Sequence, residues 1–151
     1  HNLTKTLWRI SLQDGAEELI FDKRKNQFAI SPDGLQIAFL EKKATENLLM
    51  IVSITDLQPV KTFKLATEKA DLMQLKWSPD GKNLAYIIAA GEFENKILWF
   101  QPLDGKLSRQ ITDLGNERTV GFGFAIAPDG KSFAVVQGGW RHDAVLLKGL
   151  K

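Results

Sequence analysis

The groups with a capacity for chemistry fall in a few short stretches. His142 and Asp143 follow Trp140 and Arg141, the single histidine constellation inside the chain, since His1 is terminal. A His-Asp pair can orient a general base, but a base needs a nucleophile to activate. Ser132 follows a turn and has no Gly-x-Ser-x-Gly frame around it, so no strained elbow is expected to present its hydroxyl. His142 therefore reads as an exposed loop histidine, and the chain reads as non-enzymatic. Asp33, Asp80 and Asp129 recur at matched places, as ligands of a repeated calcium site would. Each lacks the further carboxylates at short spacing that a calcium loop needs, which leaves them a role in turns. Gly121-Phe122-Gly123 has neither the third glycine nor the lysine of a phosphate loop and reads as the start of a strand. No cysteine is present, which excludes disulfides and thiolate metal ligands. No metal and no cofactor is expected.

Binding is a different matter. Phe93 lies between Glu92 and Glu94, Trp140 precedes Arg141, and Arg118 ends a polar stretch. Exposed aromatics and arginines beside charge are what binding surfaces use, so Phe93, Arg118, Trp140 and Arg141 are the candidate anchors. The partner they suggest is a protein or a small ligand. Twenty basic residues against eighteen acidic ones leave a net charge of +2, too balanced for a nucleic-acid or anionic-membrane surface. No apolar run reaches the roughly 18 residues of a spanning helix, so no membrane insertion is expected. At 151 residues the chain is long enough for a sizeable core. It starts at His1 without a signal peptide, which reads as a processed chain or a piece of a longer one.

The elements that must hold these residues are organised by a repeat. Ser31-Pro32-Asp33-Gly34 returns as Ser78-Pro79-Asp80-Gly81 and, with one change, as Ala127-Pro128-Asp129-Gly130, at intervals of 47 and 49 residues. Apolar runs flank every copy. In a hairpin turn Pro presets φ at the first central residue and Gly takes the left-handed conformation. Two residues before each proline stand Ile30, Trp77 and Ile126, and four before it stand Phe28, Leu75 and Phe124. Four after each glycine stands an alanine, Ala38, Ala85 or Ala134, between bulky neighbours. A small residue at a fixed strand position implies that a neighbouring sheet packs close there.

The first complete unit reads as strands at 28–30, 35–40, 48–54 and 60–65, with 66–72 a loop or one helical turn. The second repeats the plan at 75–77, 84–88, 97–101 and 107–111. Two strands (7–12 and 17–21) precede them, and the third unit ends after 133–136 and 145–147. Four short antiparallel strands every 47 to 49 residues are a β-propeller blade. The expected architecture is all-β with an incomplete ring of about three blades. Its divisions are 1–26 (last two strands of a preceding blade), 27–73, 74–120, and 121–151 (a closing blade without its outer strand).

Phe-Ala-Ile-Ser-Pro-Asp-Gly with Ile-Ala-Phe (28–34 and 37–39), and Ile-Leu-Trp-Phe-Gln-Pro-Leu-Asp-Gly-Lys-Leu-Ser-Arg-Gln-Ile-Thr (97–112), carry a family likeness. They resemble the TolB-like, Pro-Asp-containing relatives of WD-repeat propellers over about residues 5–151. The resemblance implies a binding, scaffold or sensory module of a larger, bacterial protein, in a periplasmic or extracytoplasmic setting. The missing blades of the same propeller are then among its partners. It also admits a second function, the non-catalytic gating propeller of a prolyl-oligopeptidase-type peptidase. Blade geometry places the Pro-Asp-Gly turns on one edge of the ring and the dissimilar connections on the other, where binding is expected. The outward faces of the first and last blades should expose apolar area, so the isolated chain is expected to self-associate or to unfold with low cooperativity.

Overall fold

A computed structural model describes residues 6–22, 27–43, 46–65, 70–90, 95–113 and 119–139. Every regular element among them is a strand, and no helix is long and apolar enough to cross a membrane. β1 (Leu7–Ile10) and β2 (Glu17–Phe21) form a leading pair. The first blade is β3 (Phe28–Ile30), β4 (Gln36–Lys42), β5 (Asn47–Ser53) and β6 (Pro59–Lys64). The second is β7 (Ala70–Trp77), β8 (Asn83–Ala90), β9 (Asn95–Pro102) and β10 (Arg109–Asp113). β11 (Thr119–Ile126) and β12 (Phe133–Gly139) form a trailing hairpin. Each sheet is an antiparallel meander in chain order. The expected all-β blades with four strands each are present, as an incomplete ring.

Several boundaries differ from the sequence reading: β10 is Arg109–Asp113 instead of 107–111, β12 runs on to Gly139 past 136, and β11 starts at Thr119. β7 begins at Ala70, inside the stretch read as a loop or a helical turn, and pairs with β8 out to Ala90. Its ladder shifts register between Leu72 and Gln74. That bulge breaks the alternation of apolar residues by which a strand is recognised. The expected strand at 145–147 lies outside the described residues.

The sheets stack face to face, and the strand period decides which residues meet. On β8, Leu84, Tyr86 and Ile88 point toward the first blade, while Ala85 and Ile87 point toward the trailing hairpin; all five are buried. The joint between the two blades is the largest, with ten buried residues that include Ala38, Leu49, Ile51, Leu75 and Trp77. The joints to the leading pair and to the trailing hairpin hold four each. At about 1.5–3 kcal/mol for each large apolar side chain removed from water, the middle joint dominates. Ala38 and Ala85 sit in these joints with no exposure, which lets large residues opposite come close. Because Ala29 is also small, the Trp77 indole reaches its backbone and donates to the Ala29 carbonyl at 3.0 Å. Two further ties cross between sheets. Gln74 Oε1 accepts from the Phe124 N–H at 2.9 Å, and the Lys61 ammonium donates to the Leu103 carbonyl. Lys42 pairs with Asp71 on the surface, a contact worth at most about 1 kcal/mol.

Tyr86, the one tyrosine of the chain, reports on the middle joint. Burial pushes its phenol up from the ordinary 10.0 to about 12, against the opposing hydrogen bond with Ser108. Its phenolate absorbance should therefore rise only well above pH 10 in the folded chain, and near pH 10 in denaturant. Above pH 10 the unfolded chain releases this proton first, so stability should fall as pH rises from 10 toward 12. A folded-state midpoint near 10 would mean that the joint admits water.

Candidate functional site

The turn edge is built from one repeated device. In the first blade Pro32 and Asp33 are the central residues, and the Gly34 N–H donates to the Ser31 carbonyl at 2.9 Å. Gly81 and Gly130 close their turns the same way, on Ser78 at 2.9 Å and Ala127 at 2.8 Å. The three glycines have φ of 74°, 68° and 69°, the left-handed region that costs a residue with a Cβ about 1–2 kcal/mol. The serine hydroxyl completes the device. Ser31 Oγ donates to Asp33 Oδ1 at 2.5 Å and accepts from the Gln36 N–H at 2.9 Å. Ser78 does the same with Asp80 at 2.5 Å and Asn83 at 3.0 Å. Both serines are buried. Each aspartate also accepts from the N–H two residues on: Leu35, Lys82 and Lys131, all at 3.0 Å. Ala127 removes the hydroxyl from the third copy but leaves the backbone turn unchanged.

These hydrogen bonds fix the electrostatics. The Ser31 hydroxyl, then the Leu35 N–H, hold the Asp33 carboxyl below its ordinary 3.8. Ser78, then the Lys82 N–H and the Lys82 charge, do so for Asp80. Both side chains are thus ionised acceptors near neutral pH, unsuited to donating a proton. The outer turns on this edge use Asp14, Asp56 and Asp104 alike, each accepting from the N–H two residues on. Gly15 and Gly105 follow two of them, but Leu57 follows Asp56 with φ of 57°. Its side chain packs against the cluster around Ile37 and Val52, which offsets the strain.

Two clefts open on this edge between the blades. One, of about 480 Å³, is lined by Gln36, Val60, Lys61, Lys82, Leu103 and Asp104, with Gly81 and Asn83 at its wall. The other, of about 170 Å³, lies between the turns at Pro32-Asp33 and Pro79-Asp80. In the larger one Lys61 is committed to the Leu103 carbonyl, and Asp104 pairs with Lys106 at 2.7 Å. The smaller cleft holds Ser31 beside Asp33, but that buried hydroxyl is spent on the turn, donating to the carboxylate and accepting from the Gln36 N–H. Among the described residues no three histidines or carboxylates gather as a metal site. Ser132 lies in the β11–β12 connection and its carbonyl accepts from the Ala127 N–H. Gly121 and Gly123 lie within β11.

The candidate anchors Phe93, Arg118, Trp140 and Arg141 lie outside the described residues, as do His142 and Asp143. The strand ends Ala90, Asn95, Asp113 and Thr119 lie at the edge opposite the Pro-Asp-Gly turns. Sequence reasoning missed Lys61, Gln74 and the Trp77 indole as ties between blades. Only the matched place of Trp77 in the repeat hinted at one of them.

Four-stranded meanders stacked face to face through matched joints define a β-propeller, here in part. No protein-family model matches the chain. No curated protein matches it. Among solved structures it is similar to TolB from Acinetobacter baumannii, with a TM-score of 0.64 and 19% identity over 90% of this chain and 33% of that one. It is similar to Kuenenia stuttgartiensis hydrazine synthase, with a TM-score of 0.61 and 20% identity over 87% of this chain and 37% of that one. A nidogen/laminin complex gives 0.63 and 15% over 87% and 48%. The chain thus spans between a third and a half of these structures, and the likeness is one of fold: TolB-like propeller blades.

Two measurements check the turn device. Gly81→Val should destabilise the chain by more than about 1 kcal/mol, because valine resists positive φ. A Cβ there meets only Pro32 Cδ at 3.7 Å, so strain and not collision is the cause. The lowered Asp33 and Asp80 carboxyls add stability above pH 3.8 that is lost as pH falls below it through their folded values. Replacing Ser31 and Ser78 by alanine should shrink that acid loss. An unchanged acid profile in the double variant would remove the serine hydroxyls from the device.

Proposed function

We propose that the chain is a non-enzymatic binding or sensory module of a larger propeller protein, holding a protein or small ligand against one rim. One observation carries this reading. The meanders put the uniform Pro-Asp-Gly turns on one edge and the strand ends Lys42 and Asn47, Lys64 and Ala70, Ala90 and Asn95, and Asp113 and Thr119 on the other. The first edge repeats one sequence, while the second shares no pattern between units. Recognition generally resides on dissimilar loops carried by a rigid frame. The second edge is the binding rim, with Phe93, Arg118, Trp140 and Arg141 as anchors. The resemblance to TolB-like blades supports an extracytoplasmic, periplasmic setting.

Alanine at all four anchors, in the protein that carries this module, should weaken capture of its partner at least tenfold, about 1.4 kcal/mol. The melting temperature should stay nearly unchanged. Binding that survives those four changes but is lost on altering Lys82 and Lys131 would move the site to the turn edge. Peptide hydrolysis by the protein that changes with the same four residues would favour the gating propeller instead.

A further inference from the structure

We propose that the larger cleft on the turn edge binds a carboxylate carried on a short apolar stem, at a site separate from the binding rim. Its walls belong to the two whole blades. The first gives Gln36 from β4 with Val60 and Lys61 from β6, and the second gives Lys82, Leu103 and Asp104 from its turns. At about 480 Å³ it falls within the roughly 300–1,000 Å³ of small-molecule sites. What it can recognise depends on which polar groups the fold has already used. Asp104 is spent: it accepts from the Lys106 N–H at 3.2 Å and from the Lys106 ammonium at 2.7 Å. Gln36 exchanges its backbone groups with Ser31, which leaves its side-chain amide over. Lys61 gives the Leu103 carbonyl one of the three hydrogens of its ammonium. Lys82 serves the turn through its backbone, its N–H donating to Asp80 and its carbonyl accepting from the Leu103 N–H. Its charge acts on Asp80, but among the described residues no carboxylate forms an ion pair with it. The groups left over are chiefly donors, and donors call for an acceptor.

Charge narrows the class. Two ammoniums and one carboxylate line the cleft, and the single positive charge they leave suits a monoanion. Asp80 and Asp104 close by would repel a doubly charged group such as a phosphate monoester. A phosphate would also want a cradle of backbone N–H groups, and the Gly81 N–H is already bonded to the Ser78 carbonyl. Val60 and Leu103 supply an apolar wall for the stem. The turn device itself does not require these cations. At the joint to the leading pair, the places of Lys61 and Lys82 are held by Glu18 and Leu35. At the trailing joint they are held by Arg109 and Lys131, and there the guanidinium lies over the Phe100 ring at 5.1 Å.

The test is a ligand-observed magnetic-resonance titration of the intact chain with N-acetyl-leucine, a carboxylate on an apolar stem. One saturable site is expected. N-acetyl-leucinamide, which lacks the charge, should bind roughly tenfold more weakly or worse. Lys82→Ala should weaken binding of the acid about fivefold or more, with unchanged far-UV circular dichroism, because the turn uses the backbone of Lys82. Lys64→Ala removes an exposed lysine of β6 that does not line the cleft, and should leave the titration as it was. Alanine at Phe93, Arg118, Trp140 and Arg141 should leave it unchanged too, so a failure of the binding rim and a failure of this site are told apart. A short peptide ending in leucine distinguishes the sources. Tighter binding than N-acetyl-leucine assigns the site to the carboxyl terminus of a protein, and equal or weaker binding assigns it to a free acid. No saturable binding, or equal binding of acid and amide, would overturn the proposal. So would an acid indifferent to Lys82→Ala, or one weakened as much by Lys64→Ala.

Discussion

A sheet with two apolar faces is stable in water only between two neighbours, and that constraint shapes every level of this chain. β8 has no solvent-facing side among Leu84 to Ile88, and it reads as a continuous apolar run instead of an alternating one. Its two faces answer to different partners. The large side chains meet the first blade, and the small Ala85 with Ile87 meets the trailing hairpin. Large against small sets how closely successive sheets approach, and interiors packed to crystal-like density tolerate little departure from it. Stability is then close to a sum of blade and joint contributions, as in other repeat proteins. The middle joint contributes most, and the ends least.

The polar contacts refine what packing establishes. The Trp77 indole on the Ala29 carbonyl and the Gln74 amide on the Phe124 N–H both sit at joints already closed by apolar contact. Buried polar groups are costly without partners, so these bonds favour one alignment of neighbouring sheets over a slipped one. The serine-aspartate turns act more locally, tying each hairpin end to its own strands. A frame fixed in this way does not depend on the sequence of the opposite connections.

The repeat made much of this legible from residues alone. Pro-Asp-Gly located the hairpins, and the fixed alanines pointed to close sheet packing before any neighbour was known. The strands beside the turns were legible because Pro and Gly punctuate them. The start of β7 was not, since its bulge between Leu72 and Gln74 interrupts the alternation. Leu57 was not either, because a leucine at positive φ is held by tertiary packing against Ile37 and Val52. Lys61, Gln74 and Trp77 reach partners 42, 50 and 48 residues away, distances at which local pattern carries no information. The candidate anchors stand apart for a related reason. Phe93, Arg118, Trp140 and Arg141 belong to stretches outside the repeat, so composition singles them out while register says nothing of them.

Neighbouring sheets, more than the strands themselves, hold each blade in place. Native-state hydrogen exchange tests it most directly, at concentrations where the chain is single. Amides of β8 should exchange slowest, near the rate set by global unfolding, with β4, β5 and β9 following. β1, β2 and the free edge of β12 should exchange fastest, because each belongs to a sheet covered on one face. Equal protection across all four sheets, or slower exchange in β1–β2 than in β8, would contradict it.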